Sequence, residues 1–182
     1  IEDLQVEYTI LHRKVKYPRL EIKTDVLQII IPINYHGTCE LIKKHESWIY
    51  KKLSHIKYLQ KESEKRKLNL NRTDDEFKEM ILFMVENISK EMDLKVNHVK
   101  FRRMKSRWGS CSSRRNLNFN LYLKYLPVEL AEYIVFHEVT HLVEMGHNKN
   151  FWNIISTRYS NYKELEEELS IYWLKVKEFV CI

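Results

Sequence analysis

The sequence predicts an α+β fold in two parts, and three features carry that expectation. Residues 4 to 33 alternate apolar and polar side chains in the manner of strands, with a long helical spacing after them. A second pair of strand-like runs lies between Val96 and Tyr125, and an apolar helix carrying His137-Glu138-Val139-Thr140-His141 follows it. At 182 residues the chain is one domain or two small ones, long enough to bury a core without cross-links. The boundary is placed in the charged stretch after the first helix. It gives a β-strand module with a long helix over 1–70 and a second domain over 71–182.

In chain order, Val6, Tyr8 and Ile10 alternate with polar neighbours, Leu20 and Ile22 repeat the pattern, and Val26 to Ile31 is a buried-type run closed by Pro32. Asp25 stands between two of these runs and predicts the tight turn of a hairpin. After Gly37 the period changes: Leu41, His45, Trp48, Lys52, Ile56 and Leu59, with Ile42, Ile49 and Leu53 beside most of them, describe one long helix beginning near Thr38 as cap, with Trp48 packing rather than binding. From Lys61 to Arg72 charges dominate, which reads as the frayed end of that helix and a linker. Thr73 or Asp74 caps the next helix, whose apolar stripe is Phe77, Ile81, Met84, Val85 and Ile88. Val99, Phe101 and Arg103 then predict one strand, Trp108-Gly109-Ser110-Cys111 a turn, and Leu117, Phe119, Leu121 and Leu123 an antiparallel partner.

Pro127 suits the start of the next helix, where its missing N–H is not needed, and Leu130, Ile134, His137, His141 and Glu144 fall on one stripe of it. Gly146 is the expected stop, in the left-handed conformation that ends helices, and Asn148 caps a further helix through Phe151, Trp152, Ile154 and Ile155. Histidines four apart lie one turn above the other, so His137 and His141 can reach a single ion. Glu138 beside them can take a proton from a water on that ion, which is the mechanical content of the HExxH pattern. Catalytic zinc keeps three protein ligands and one water position. His147 is the nearest third donor and Glu144, on the same helical face, is its rival. Zinc is the expected ion, with manganese, nickel and cobalt left open.

Only three glycines occur, and Gly109 and Gly146 flank this constellation. A glycine between Trp108 and Ser110 permits a turn or a close backbone approach, and a strand pair bordering the cleft can take an extended peptide by strand addition. Trp108, Gly109, Ser110 and Asn120 are therefore the expected substrate contacts, although Trp108 and Cys111 also read as core residues. Tyr159, Tyr162 and Arg158 are candidates to stabilise an oxyanion.

Apolar residues make up 44% and charged residues 31%, a globular composition, and the longest apolar runs are far too short to span a bilayer. No secretory signal is recognised, and Cys39, Cys111 and Cys181 are odd in number and widely spaced, so a reducing, cytoplasmic setting is expected rather than a disulfide framework. The net charge is +6, and Lys100, Arg102, Arg103, Lys105, Arg107, Arg114 and Arg115 crowd together before the metal helix. That cluster reads either as a solvated face or as a surface for substrate or nucleic acid. A phosphoanhydride or nucleotide hydrolase would use it to hold phosphates, but the chain lacks a phosphate-cradling glycine loop and an acidic cluster suited to magnesium. A nucleic-acid-binding module with structural zinc would want four protein ligands and no adjacent base.

Together, Trp108-Gly109-Ser110-Cys111-Ser112, the run Leu117-Asn118-Phe119-Asn120-Leu121, the helix from Tyr133 to Leu142, and His147-Asn148-Lys149-Asn150-Phe151-Trp152 resemble the YgjP-like family of zinc metallopeptidases. Tyr17-Pro18-Arg19-Leu20 and Trp48-Ile49 look like the same family, so the resemblance covers nearly the whole chain. It implies a zincin-like catalytic domain with an antiparallel sheet beside the metal helix, one zinc ion on His137, His141 and His147, Glu138 as base, and a peptide or protein substrate. SprT-like proteases, which act on DNA-linked protein, look like more distant relatives. Arg114-Arg115 stand where family members commonly carry a glycine, which makes that turn more basic.

Overall fold

The structure is a computed structural model and describes residues 5–23 and 25–181. Leu4 and Thr24, both within the first strand-like stretch, lie outside the described residues, as do the terminal residues Ile1 and Ile182 of the two expected domains. The chain divides into two compact units between Glu62 and Ser63.

In the first unit, β1 (Tyr8–His12), β2 (Arg19–Lys23) and β3 (Val26–Ile31) form one sheet in the order β1-β3-β2. The expected hairpin is present: β2 runs antiparallel to β3 with Lys23 opposite Val26, and Asp25 takes a φ of 73° in the turn. Aspartate tolerates that left-handed conformation better than most residues. β1 pairs with β3 in parallel, Tyr8 opposite Leu27. Leu27, Ile29 and Ile31 alternate onto one face and are buried with Ile49 and Leu53.

The predicted single helix is two helices, α1 (Thr38–Lys44) and α2 (Glu46–Glu64). Gly37, at φ 134°, takes the cap position expected of Thr38. At His45 the chain leaves helical geometry: its N–H bonds back to the Ile42 carbonyl, and its own carbonyl accepts from Ile49 to start α2. The interruption shifts the helical phase. Of the adjoining residues in the predicted stripe, Ile49 and Leu53 are the buried ones, and Trp48 is left 40% exposed instead of packed.

The second unit holds α3 (Asp74–Glu91), β4 (His98–Arg102), β5 (Gly109–Cys111), β6 (Asn116–Asn120), a 3-10 turn (Leu121–Tyr125), α4 (Val128–Thr140), α5 (Lys149–Arg158) and α6 (Tyr162–Val180). Thr73 caps α3 in a reciprocal box with Glu76, and the helix buries Phe77, Ile81, Val85 and Ile88. The expected antiparallel strand pair is corrected here. β4 and β6 pair in parallel, and Trp108-Gly109-Ser110-Cys111 is no turn, because Gly109–Cys111 form a third strand antiparallel to β6. The sheet is therefore mixed, in the order β4-β6-β5.

Residues 103–108 carry the chain from β4 to β5, and the true hairpin turn is Ser112–Arg115. Arg115 occupies the left-handed region at φ 59°, a conformation glycine adopts without strain. Its N–H bonds to the Ser112 carbonyl and its guanidinium to the Lys95 carbonyl, which hold the turn despite that cost. Leu121 and Leu123, expected in a strand, lie in the 3-10 turn because the Asn120 side chain caps it by accepting from the Tyr122 N–H. Leu117, Phe119, Val135, Val139, Phe151 and Leu169 share the core that joins sheet and helices. No helix among the described residues is long and apolar enough to cross a membrane.

Candidate metal centre

α4 is buried on most of its surface, which fixes the histidines that end it. Ala131, Ile134, Val135 and Val139 anchor it in the core, and the Thr140 hydroxyl bonds back to the Phe136 carbonyl at 2.8 Å. The helix stops at Thr140, earlier than expected, and His141 is its cap residue. Two tight turns follow, from Leu142 N–H to the Val139 carbonyl and from Val143 N–H to the Thr140 carbonyl. Gly146 is not left-handed, so it does not end the helix in the expected way. The reversal is held instead by the Asn148 N–H on the Gly146 carbonyl at 2.8 Å, and by the Trp152 indole N–H on the His147 carbonyl at 3.1 Å. Asn148 caps α5 as expected, its side chain accepting from Asn150 and Phe151.

This path brings the three predicted histidines together. One ring nitrogen from each of His137, His141 and His147 lies within 4.8 Å of the others, and the Nε2 atoms of His137 and His147 are 2.9 Å apart. Phe151 lies against all three rings, with centroid distances of 4.6 to 4.9 Å. The opposite nitrogens are occupied elsewhere. His141 Nδ1 is 3.0 Å from the Glu144 carbonyl, and His137 Nδ1 is 3.6 Å from Glu166 Oε1. A proton held on each Nδ1 leaves Nε2 free to ligate an ion. Burial first, and then the neighbouring imidazoles, push His141 and His147 below the usual histidine range and favour their neutral, ligating forms. The Glu144 carboxylate does not join this cluster; it accepts from the Gly146 N–H at 3.4 Å.

Glu138 is 6% exposed, and its Oε2 has no hydrogen-bond partner. The space beside it comes from Gly109: a Cβ there would lie 2.6 Å from both Glu138 Cγ and Oε1. Burial pushes this carboxyl up to about 7, against the opposing effects of His137 and Arg107. The folded, metal-free protein thus binds a proton that the unfolded chain releases near 4.5, so Glu138 destabilises the fold as pH rises from that value to about 7. The full penalty is about 3 kcal/mol. Metal-free wild type should accordingly lose stability relative to Glu138→Gln between pH 5 and pH 8, read as a widening gap in Tm; a constant gap would refute the assignment.

The sequence pattern of the YgjP-like, metallopeptidase domain family matches residues 59–172. The chain belongs to the YgjP-like family. Membership makes it a metal-dependent peptidase with an α+β, zincin-like fold, and the three-histidine cluster is where its chemistry fits a divalent ion. The crystal structure of the metallopeptidase zymogen abylysin from Pyrococcus abyssi is similar at 20% identity and a TM-score of 0.45, over 49% of this chain and 90% of that one. The zymogen jannalysin from Methanocaldococcus jannaschii is similar at 26% identity and a TM-score of 0.43, over 50% and 93%. No curated protein matches the chain.

The YgjP-like domain opens a cleft of about 480 Å³ at the histidines, lined also by residues 106–111 and by Ile134, Met145, Glu166 and Leu169. Trp108, Gly109 and Ser110, the expected substrate contacts, border it. The Trp108 indole N–H bonds to the Leu169 carbonyl at 3.3 Å and its ring meets Trp173 edge-on, so it also packs. Cys111 borders the cleft too, its thiol pushed up to about 11 by burial and the nearby Glu138.

Asn120 stands apart from these. It is fully buried and not a cleft residue, and its amide is spent on Met104, Arg107 and Tyr122. Its part is to shape the loop before β5. Arg158 is paired with Glu91 and Glu132 at 2.7 Å, Tyr159 packs on Tyr133 and Phe136, and Tyr162 stacks on Trp152; none borders the cleft. Of the basic cluster only Arg107 does, whereas Lys100 and Arg102 lie on the exposed face of β4.

Glu166 is the site residue that the sequence reading missed. It accepts from the Tyr133 hydroxyl at 2.6 Å. Burial alone would raise its pKa, but His137 and Tyr133 beside it hold it below the usual range. A signal was present: between Tyr162 and Leu169, Glu166 is a carboxylate on the apolar stripe of α6.

Proposed function

We propose that the protein is a zinc peptidase in which His137, His141 and His147 hold the ion, Glu138 is the general base, and an extended peptide lies along the free edge of β5. The observation that carries this reading is the convergence of three imidazole nitrogens beside a buried carboxylate whose Oε2 has no partner in the fold. Zinc bound there supplies a Lewis acid and a water acidified toward a pKa of about 7. Glu138 takes up a proton at Oε2 and returns it to the leaving amide nitrogen, work suited to a carboxyl whose pKa burial has raised. β5 is an edge strand of the sheet order β4-β6-β5, so its backbone can pair with a substrate without reading side chains. Glu166 and the Glu144 carbonyl fix the ring orientations of His137 and His141.

Zinc titrated into metal-free protein should bind at one ion per chain, and removal by a chelator should abolish cleavage of a fluorogenic peptide mixture until zinc is returned. Glu166→Gln should weaken zinc by about 10- to 100-fold without changing that stoichiometry. Undiminished cleavage by fully metal-free protein would overturn the reading.

A further inference from the structure

We infer that Arg107 is a carboxylate-reading residue of the cleft, selecting peptides that present an acidic side chain or a free C-terminus beside the scissile bond. The inference rests on the peptidase reading above and adds a substrate class to it.

The argument starts with charge pairing. Some cations of this unit have partners: Arg66 meets Glu168, Arg158 meets Glu91 and Glu132, and Lys124 meets Asp74 at 2.6 Å. Among the described residues, no carboxylate lies within ion-pair distance of Arg107. The two carboxylates that border the same cleft are otherwise placed, Glu138 buried against Gly109 and Glu166 bonded to Tyr133. Arg107, exposed to solvent, thus brings a charge without an ion-pair partner to a cleft that the three histidines also line.

Position is the second argument. A long side chain on a loose loop recognises little, because ordering it costs entropy. The backbone of Arg107 is held instead. Its carbonyl accepts from Asn120 Nδ2 at 2.8 Å, the next carbonyl, of Trp108, accepts from the Asn120 N–H at 2.8 Å, and the same side chain bonds Met104 through both its N–H and its carbonyl. Asn120 is fully buried at the end of β6, so a core residue sets where the guanidinium starts. A planar guanidinium pairs with a carboxylate through two parallel hydrogen bonds, which a lysine ammonium cannot reproduce. Trp108, Met145 and Leu169 add apolar surface to the same cleft, and a carboxylate entering there is less screened than one in open water.

The test uses the zinc-loaded chain and matched fluorogenic peptides that differ only by Asp or Glu against Asn or Gln, each with a free or an amidated C-terminus. At low salt the wild type should favour the carboxylate-bearing member by about tenfold in kcat/KM. Arg107→Gln should erase that preference, Arg107→Lys should keep part of it, and Arg114→Gln, outside the cleft, should keep all of it. Loss of the preference on amidation assigns the C-terminal carboxylate; loss on Asp→Asn or Glu→Gln assigns a side chain. Binding of the same peptides to the Glu138→Gln variant, followed by fluorescence anisotropy, reads recognition without turnover. Preferential binding with no cleavage by wild type would leave this inference standing and sink the peptidase reading. Cleavage with no preference, or a preference that survives Arg107→Gln, overturns the inference alone.

Discussion

Glu138→Gln is expected to lower kcat for peptide hydrolysis by about 10²–10⁴-fold, the range lost with a general base, while zinc still binds at one ion per chain. Glutamine matches glutamate in size, so it fits the space that Gly109 leaves and does not disturb the histidines. What it lacks is a site for a proton. Because Glu138 Oε2 has no partner in the fold, the substitution breaks no recorded hydrogen bond at that atom, and the loss falls on chemistry rather than on stability. Paired measurements of zinc content and steady-state kinetics separate the outcomes. Equal turnover by variant and wild type would remove Glu138 from the mechanism, whereas loss of the ion would make the carboxylate part of the metal's own environment.

The part of the site that was legible in the sequence is the part that local geometry determines. His137 and His141 are one helical turn apart, so their convergence follows from helix pitch alone, and His147 needed only a chain reversal close behind them. The manner of the reversal was not legible. Gly146 was the obvious device, yet backbone bonds around Asn148 and the indole of Trp152 perform the turn. Glu166 was missed because its contact with His137 depends on how α6 crosses α4, which no spacing encodes.

The sheet shows the same limit. Alternation located the residues of β4 and β6, but a strand pattern carries no direction, and the parallel pairing depends on the crossover through residues 103–108. That loop is organised by Asn120, whose four amide bonds become visible only when Met104, Arg107 and Tyr122 are seen around it. In the first unit, a single irregular residue, His45, moved Trp48 from the expected packed stripe to the surface. A short break rephases every residue after it, and periodicity taken across the break averages the two phases.

Gly109→Ala is the second change expected to have a large effect, a fall in kcat of about 100-fold, the cost of misplacing a catalytic group by about 1 Å. The added methyl group would sit 2.6 Å from Glu138 Cγ and Oε1 and 2.8 Å from Cδ, closer than packed carbons approach, so either the strand or the carboxylate must move. Glu138 has little room to yield, being 6% exposed on a helix fixed by Val135 and Val139. If β5 shifts instead, the edge that borders the cleft shifts with it. Zinc binding should survive, because all three histidines are carried by α4 and the turn after it and none by β5.

A double variant tests the cause. Glu138→Asp shortens the side chain by one methylene and withdraws it from the new methyl group, so Gly109→Ala should cost less in the Glu138→Asp background than in the wild type. The coupling between the two sites would then be favourable, as expected for residues in direct contact. Strictly additive losses would mean that Gly109 acts through the strand and not through Glu138, and full activity in Gly109→Ala would mean that the close approach of β5 to the carboxylate has no catalytic role.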